Sequence, residues 1–287
     1  MLKLLKQARA AIALLNPDAV RQRAGQPVRI GLVATDSKGY GEMEDFLVPR
    51  GLPRNQQRAL IDRVHRADDP DVPNSVDLVL FQQNIAPPEG AYTFRRDEPE
   101  RTIAEILGGN EDFALPLARQ FPAFRRPVVE RIIHAIAREN ALFAVATALP
   151  DVIPSLMELP WALGEFASDT TFLTANQVRM AFLIAAASGK DVGFSQQKGQ
   201  LAAIAAGAFG WRAIARELVG KIPLGGGLIP KGAIAYAGTF VVGKGLERYH
   251  GANAAYTRGE RERVYQQALR RGKQVVASLP TGEHPVN

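Results

Sequence analysis

Three consecutive glycines set between two prolines constrain this chain more than any other stretch. Pro223-Leu224-Gly225-Gly226-Gly227-Leu228-Ile229-Pro230 breaks a helix. Small-residue helical sequence lies on both sides of it, through Gly210-Trp211-Arg212-Ala213 before and Ala233-Ile234-Ala235-Tyr236-Ala237-Gly238 after. Residues 199–251 therefore read as a glycine-rich helical hairpin. Its small side chains let two helix backbones approach closely, in water or in lipid. The triplet with Lys231 could form a backbone nest for an anion, but its position between helices favours a tight interhelical turn.

The remaining sequence divides around this hairpin. Residues 2–15 read as a basic amphipathic helix, with Leu2, Leu5, Ala8, Ile12 and Leu15 on one stripe. Asn16-Pro17 stops it and opens another short helix, Asn as cap and Pro in the first turn. Val28–Ala34 and Val76–Phe81 read as buried strands and Tyr92-Thr93-Phe94 as a third, with helices at 42–47, 54–66 and 99–107 between and after them. Alternation of strand and helix predicts a small parallel sheet. From Asp112 the pattern is helical, over 112–119, 127–147, 151–166, 174–188, 196–220, 230–249 and 257–278. Capping boxes open the helices at Thr174-Ala175-Asn176-Gln177 and Thr257-Arg258-Gly259-Glu260, and Gly189 stands where a C-terminal cap belongs. The last helix, rich in arginine, reads as an exposed cover.

The expected organisation is α/β followed by all-α: an N-terminal amphipathic helix over 1–24, a small parallel-sheet domain over 25–110, a larger multi-helix domain over 111–279 and a disordered tail over 280–287. With 287 residues, 46% of them apolar and 22% charged, the chain can bury a sizeable core. It has no cysteine, which removes disulfides, thiolate ligands and cysteine nucleophiles and fits a reducing cytoplasm. The net charge of +6 is concentrated at the ends. Residues 1–29 carry Lys3, Lys6, Arg9, Arg21, Arg23 and Arg29 against Asp18, and residues 244–274 carry eight Lys/Arg against Glu247, Glu260 and Glu262, each stretch summing to +5. Basic ends on a near-neutral body suit an anionic surface or an acidic protein. Nucleic acid is the weaker expectation, since no recognised module or interleaved aromatics accompany the charge. There is no clean span of about 20 apolar residues; the nearest, Ile222–Val242, contains Lys231, two prolines and five glycines. The expected location is the cytoplasm, with a peripheral position at the inner face of the membrane as the variant.

Catalytic motifs are missing. In an open α/β sheet, ligands bind outside the carboxyl ends of the strands, which points to Thr35-Asp36-Ser37-Lys38-Gly39-Tyr40-Gly41. That turn has neither G-x-x-x-x-G-K-[ST] nor G-x-G-x-x-G, leaving Asp36, Ser37 and Lys38 to bind something small and polar or to be merely solvated. His65, His134, His250 and His284 lie in four segments without ligand spacing, and no G-x-S-x-G elbow occurs. No catalytic, cofactor or metal residue is therefore assigned. Polar groups within apolar helices, namely Asp151, Gln177, Arg179 and Arg212, Arg216 with Glu217, read as buried ion pairs or caps; Asp151 is expected to meet one of these arginines. Trp161 and Trp211 read as packing residues.

Three segments of the helical half carry a family resemblance: Leu149-Pro150-Asp151-Val152-Ile153-Pro154; Leu173-Thr174-Ala175-Asn176-Gln177-Val178-Arg179-Met180 through Gly189; and Gly207-Ala208-Phe209-Gly210-Trp211-Arg212 through the glycine turn to Ala235-Tyr236-Ala237-Gly238-Thr239. In this order, over about residues 130–250, they resemble the bacterial family called domain of unknown function 697. The resemblance implies a helical domain that follows a GTPase-like module or accompanies membrane-spanning segments. Here the α/β half lacks the P-loop and the Asn-Lys-x-Asp guanine motif, so the implied module is a pseudo-GTPase. The expected function is that of a non-enzymatic interaction or scaffold protein. The alternatives are a peripheral membrane protein using the N-terminal helix and the glycine-rich hairpin, or a nucleotide- or anion-binding regulator acting through Thr35–Gly41.

Overall fold

Ile30-Gly31-Leu32-Val33 is apolar at every position, and such a run is at home only in a strand covered on both faces. A computed structural model describes residues 15–67, 76–147, 169–206 and 228–278. In it Ile30–Val33 (β1) is the inner strand of a four-stranded, wholly parallel sheet ordered β2-β1-β3-β4. Leu78–Gln82 (β3) flanks β1 on one side, Ile30 opposite Leu78, and carries Tyr92–Phe94 (β4) at its far edge. Val64–Arg66 (β2) pairs on the other side, Ile30 opposite Val64.

That fourth strand corrects the helix read over 54–66. Helix stops at Ile61, and Val64-His65-Arg66 turns extended. Three residues, two of them polar, give too short a run for a period-2 signal. The deciding force is tertiary: the Ile30 amide donates to Arg63 O and the Ala67 amide to Leu32 O, both at 2.8 Å. A second correction concerns the turn after β1. Helix begins at Ser37, not Glu42, and includes Gly39 and Gly41.

Numbered in chain order, the helices among the described residues are Pro17–Ala24 (α1), Ser37–Leu47 (α2), Arg54–Ile61 (α3), Pro99–Gly109 (α4), Ala114–Gln120 (α5), Pro122–Ala146 (α6), Asp169–Ala187 (α7), Leu228–Ala252 (α8) and Arg258–Ala277 (α9); residues 198–206 are also helical. The Asn16 carboxamide caps α1, accepting from the Asp18 and Ala19 amides. Helix α6 starts at Pro122, five residues before the predicted start, because proline suits a first turn. Helix α7 is already helical from Asp169, the first described residue there, which puts Thr174 and Gln177 inside it and removes the capping box read there. The box at Thr257 and Glu260 is present in full. Gly189 adopts φ +72, the left-handed conformation that ends helices. The architecture is thus mixed: one small parallel sheet with helices elsewhere among the described residues.

The chain divides into two compact units. One holds Val20–Glu130 with Ala186–Asp191, and the other Met1–Ala19, Arg131–Ala185 and Val192–Asn287. In the first, Leu32, Leu80, Met43, Leu47 and Leu107 are fully buried around the sheet. In the second, α8 is the central element. Ala137, Ala141 and Val145 of α6 and Val276 of α9 pack on its Tyr236, while Ala237 meets Tyr265 and Ala268. Helix α9 is therefore more than a cover: its stripe Tyr265, Ala268, Gly272 and Val276 is buried, and only the opposite face is open. At Gly272 the two backbones nearly touch; a Cβ there would lie 2.9 Å from Ala233 O and 3.0 Å from Ala233 Cα. This close approach is made by the second limb of the hairpin sequence against α9; the packing expected between the hairpin's own two limbs falls outside the described residues. The first limb beyond residue 206 and the glycine turn lie outside the described residues.

Candidate functional site

Strand order 2-1-3-4 makes β1 and β3 the point where the winding reverses, and ligands of doubly wound sheets bind outside the carboxyl ends of such strands. The side chains there come from Thr35 and Asp36 after β1 and from Gln82 at the end of β3. Asp36 is extended and caps α2, its Oδ1 accepting from the Gly39 amide at 2.6 Å. The carboxylate thus holds a helix N-terminus, the position that attracts phosphate in nucleotide-binding folds. Gln82 Oε1 accepts from both the amide (3.0 Å) and hydroxyl (3.1 Å) of Thr35. Its carboxamide also lies over Gly39, where a Cβ would come within 2.6 Å of Gln82 Cδ. Gly39 is needed for this approach, not for a turn.

The cations at this edge are committed too. Arg66, at the end of β2, grips Glu44 with two bonds of 2.6 and 2.9 Å and lies 5.2 Å over the Tyr40 ring. Arg96 bonds Glu42 at 2.7 Å, with Lys38 a further 4.0 Å neighbour of the same carboxylate. Arg95 bonds Glu105 at 2.6 Å, and that bond holds the Glu105 carboxyl below the usual carboxylate range against a smaller upward push from burial. Individually such pairs add little stability; Arg66 and Arg95 each bond a carboxylate, while Arg96 and the exposed Lys38 share Glu42.

The helical unit holds a different polar cluster. Asn140 of α6, Asn176 and Gln177 of α7 and Thr239 of α8 are all buried. The Asn140 amide donates to Thr239 Oγ1 at 2.8 Å, the Asn176 amide to Asn140 Oδ1 at 2.9 Å, and the Gln177 amide reaches Thr239 Oγ1 at 3.5 Å. Arg179 closes the chain, bonding Glu139 at 2.9 and 3.2 Å and Asn176 Oδ1 at 3.2 Å. Buried polar groups need such partners, and here the partners tie three helices together. Nearby, His134 Nδ1 meets the Tyr236 hydroxyl at 2.7 Å and its ring packs on Phe240.

Of the residues singled out from sequence, Asp36, Ser37 and Lys38 lie at the sheet edge, while Gln177 and Arg179 lie in the polar cluster. Arg179 is paired with Glu139; Asp151, Trp161, Trp211, Arg212, Arg216, Glu217, His284 and the three glycines lie outside the described residues. Lys231 donates to Thr147 Oγ1 at 3.2 Å. His65 sits on β2, with Nε2 buried and no hydrogen-bond partner among the described residues; the His250 ring packs edge-on to Tyr249. No group of three or more His, Asp or Glu among the described residues is placed to hold a metal ion, and no described helix is long and apolar enough to cross a membrane. Gln82, Glu139, Asn140 and Thr239 were not legible as site residues. Gln82 alone has a signal, as the polar residue ending an otherwise apolar strand.

Comparison of the chain with protein-family models, with curated proteins and with solved structures gives no match in any of the three.

Proposed function

We propose that this is a non-enzymatic interaction protein, built from a pseudo-GTPase α/β unit and a helical unit of the kind found in domain of unknown function 697. The observation that carries the reading is the closed switch point. Asp36 caps α2 where a phosphate would sit, Gln82 packs against Gly39 beside it, and Lys38, Arg66, Arg95 and Arg96 direct their charge at Glu42, Glu44 and Glu105. Such an edge presents a polar surface to another molecule. On this reading the architecture is that of a nucleotide-binding fold, and its own side chains take the hydrogen-bonding positions that a nucleotide would use.

The test is phosphate release from ATP and GTP with magnesium, by the purified full-length chain and by Asp36→Ala. The expected rate is that of the buffer for both proteins. Turnover by the wild-type chain that disappears in Asp36→Ala overturns the reading.

A further inference from the structure

The second half of helix α9, from Ala268 to Ala277, carries three cations and no acid. Some exposed helices elsewhere place acids three or four residues from their cations, as in Lys38–Glu42 and Arg101 with Glu98 and Glu105. Ahead of α9, Lys244 pairs with Glu247 and Arg248 with Glu260. On α9 itself Arg263, Arg270, Arg271 and Lys273 are all exposed. Arg270 has Gln266, Gln267, Lys273 and Gln274 at the helical neighbour positions, so its one charged neighbour repels it. The nearest acid in sequence after Glu262 is Glu283. A like-charge pair destabilises a helix, and no local contact among the described residues offsets it.

The geometry of the face narrows the partner. Arg263 and Arg270, seven residues apart, share one line on the helix, with Lys273 and Arg271 on its flanks, over about 15 Å of axis. Glutamines 266, 267 and 274 fill the gaps. None of the large exposed apolar residues, Ile61, Phe194, Ile229 and Tyr249, belongs to α9. The face therefore lacks the buried anchor on which protein interfaces depend and the aromatics that stack on single-stranded nucleic acid. Nor is α9 free to enter a duplex groove, since Tyr265 to Val276 are seated lengthwise on α8. A convex face with two guanidinium groups in line and one long basic side chain on each flank fits a planar array of phosphates.

We propose that the outer face of α9 docks the protein on an anionic phospholipid surface, by charge alone and without insertion. The proposal rests on the interaction reading above and names one of its partners. A basic side chain at such a surface contributes about fivefold in affinity (about 1 kcal/mol).

The experiment is co-sedimentation of the full-length chain with phosphatidylcholine vesicles, with and without about one-third phosphatidylserine. It compares the wild type with the variant Arg263→Gln/Arg270→Gln/Arg271→Gln/Lys273→Gln. Glutamine keeps the helix, and an unchanged melting curve verifies it. The expected result is binding only to the anionic vesicles, abolished near 0.5 M salt, where the screening length falls to a few ångströms (about 4 Å). The variant loses several-hundred-fold in affinity, about fivefold for each of four charges. Absence of wild-type binding, undiminished binding by the folded variant, or tighter binding to a duplex oligonucleotide each overturns the proposal. None of those outcomes bears on nucleotide turnover, so the interaction reading stands or falls separately.

Discussion

Two glycines, one on α8 and one on α9, should respond differently to the same substitution. Gly245 lies within α8, and nothing stands within 4 Å of the place a Cβ would take. There Gly→Ala removes backbone entropy from the unfolded chain and gains helix propensity, worth about 0.8–1 kcal/mol. Gly272 gains the same propensity but meets Ala233 O at 2.9 Å and Ala233 Cα at 3.0 Å. Ordinary contact needs about 3.5–4 Å. Both neighbours are backbone, so no rotamer change relieves the clash and the helices must part by several tenths of an ångström. Parting them loosens Val276 against Ala141, Val145 and Tyr236, and overpacking of this sort costs about 1–3 kcal/mol. The sum leaves Gly272→Ala between neutral and about 2 kcal/mol destabilised. Urea unfolding of the full-length chain, followed by circular dichroism, separates the variants by at least about 1 kcal/mol, or about 2–4 °C in a thermal melt. Equal stabilisation by both substitutions refutes the close approach of α8 and α9.

The buried cluster predicts non-additivity. Asn140→Leu removes the short bonds to the Thr239 hydroxyl and the Asn176 amide and leaves them only the long ones from Gln177 (3.5 Å) and to Glu139 (3.4 Å), at about 1–3 kcal/mol in all; in Asn140→Leu/Thr239→Val the loss in urea unfolding falls short of the sum of the singles. Glu260 predicts an acid transition. The Thr257 backbone amide first, then Arg248 and the Thr257 hydroxyl, hold its carboxyl at about 2. Because the folded value is depressed, its contribution to the α9 cap is complete above the ordinary carboxylate range and fades as pH falls through about 4 toward 2. An NMR titration of Glu260 gives the low midpoint directly, and Thr257→Val moves it upward; a midpoint near 4 in the wild type contradicts the capping geometry.

How far the fold was legible depends on where the forces lie. β1 was readable because Ile30 to Val33 are apolar throughout, and α9 because Thr257 and Glu260 bond each other locally. β2 was not, since Val64-His65-Arg66 becomes a strand only through β1's amides and carbonyls. The start of α2 was misplaced because Gly39 and Gly41 resemble turn residues. The Asp36 cap opens the helix ahead of them, and Gly39 leaves room for the Gln82 side chain, which is 46 residues further along the chain than Asp36. The same holds for the sites. Asp36 to Lys38 could be picked out as the first turn after a strand, whereas Asn140 meets Thr239 across 99 residues, and no spacing rule joins residues on two helices.

Closure of the sheet's switch point by Asp36 and Gln82 is the central claim, and its most direct test is nucleotide binding measured through stability. Thermal melts of the full-length chain are recorded with magnesium and a range of ATP, GTP and their diphosphates. A ligand held at 100 times its dissociation constant stabilises by about 2.7 kcal/mol. With the switch point closed, none of the four nucleotides shifts the melt. A saturable upward shift that is lost when Lys38→Ala alters the βα turn contradicts the claim.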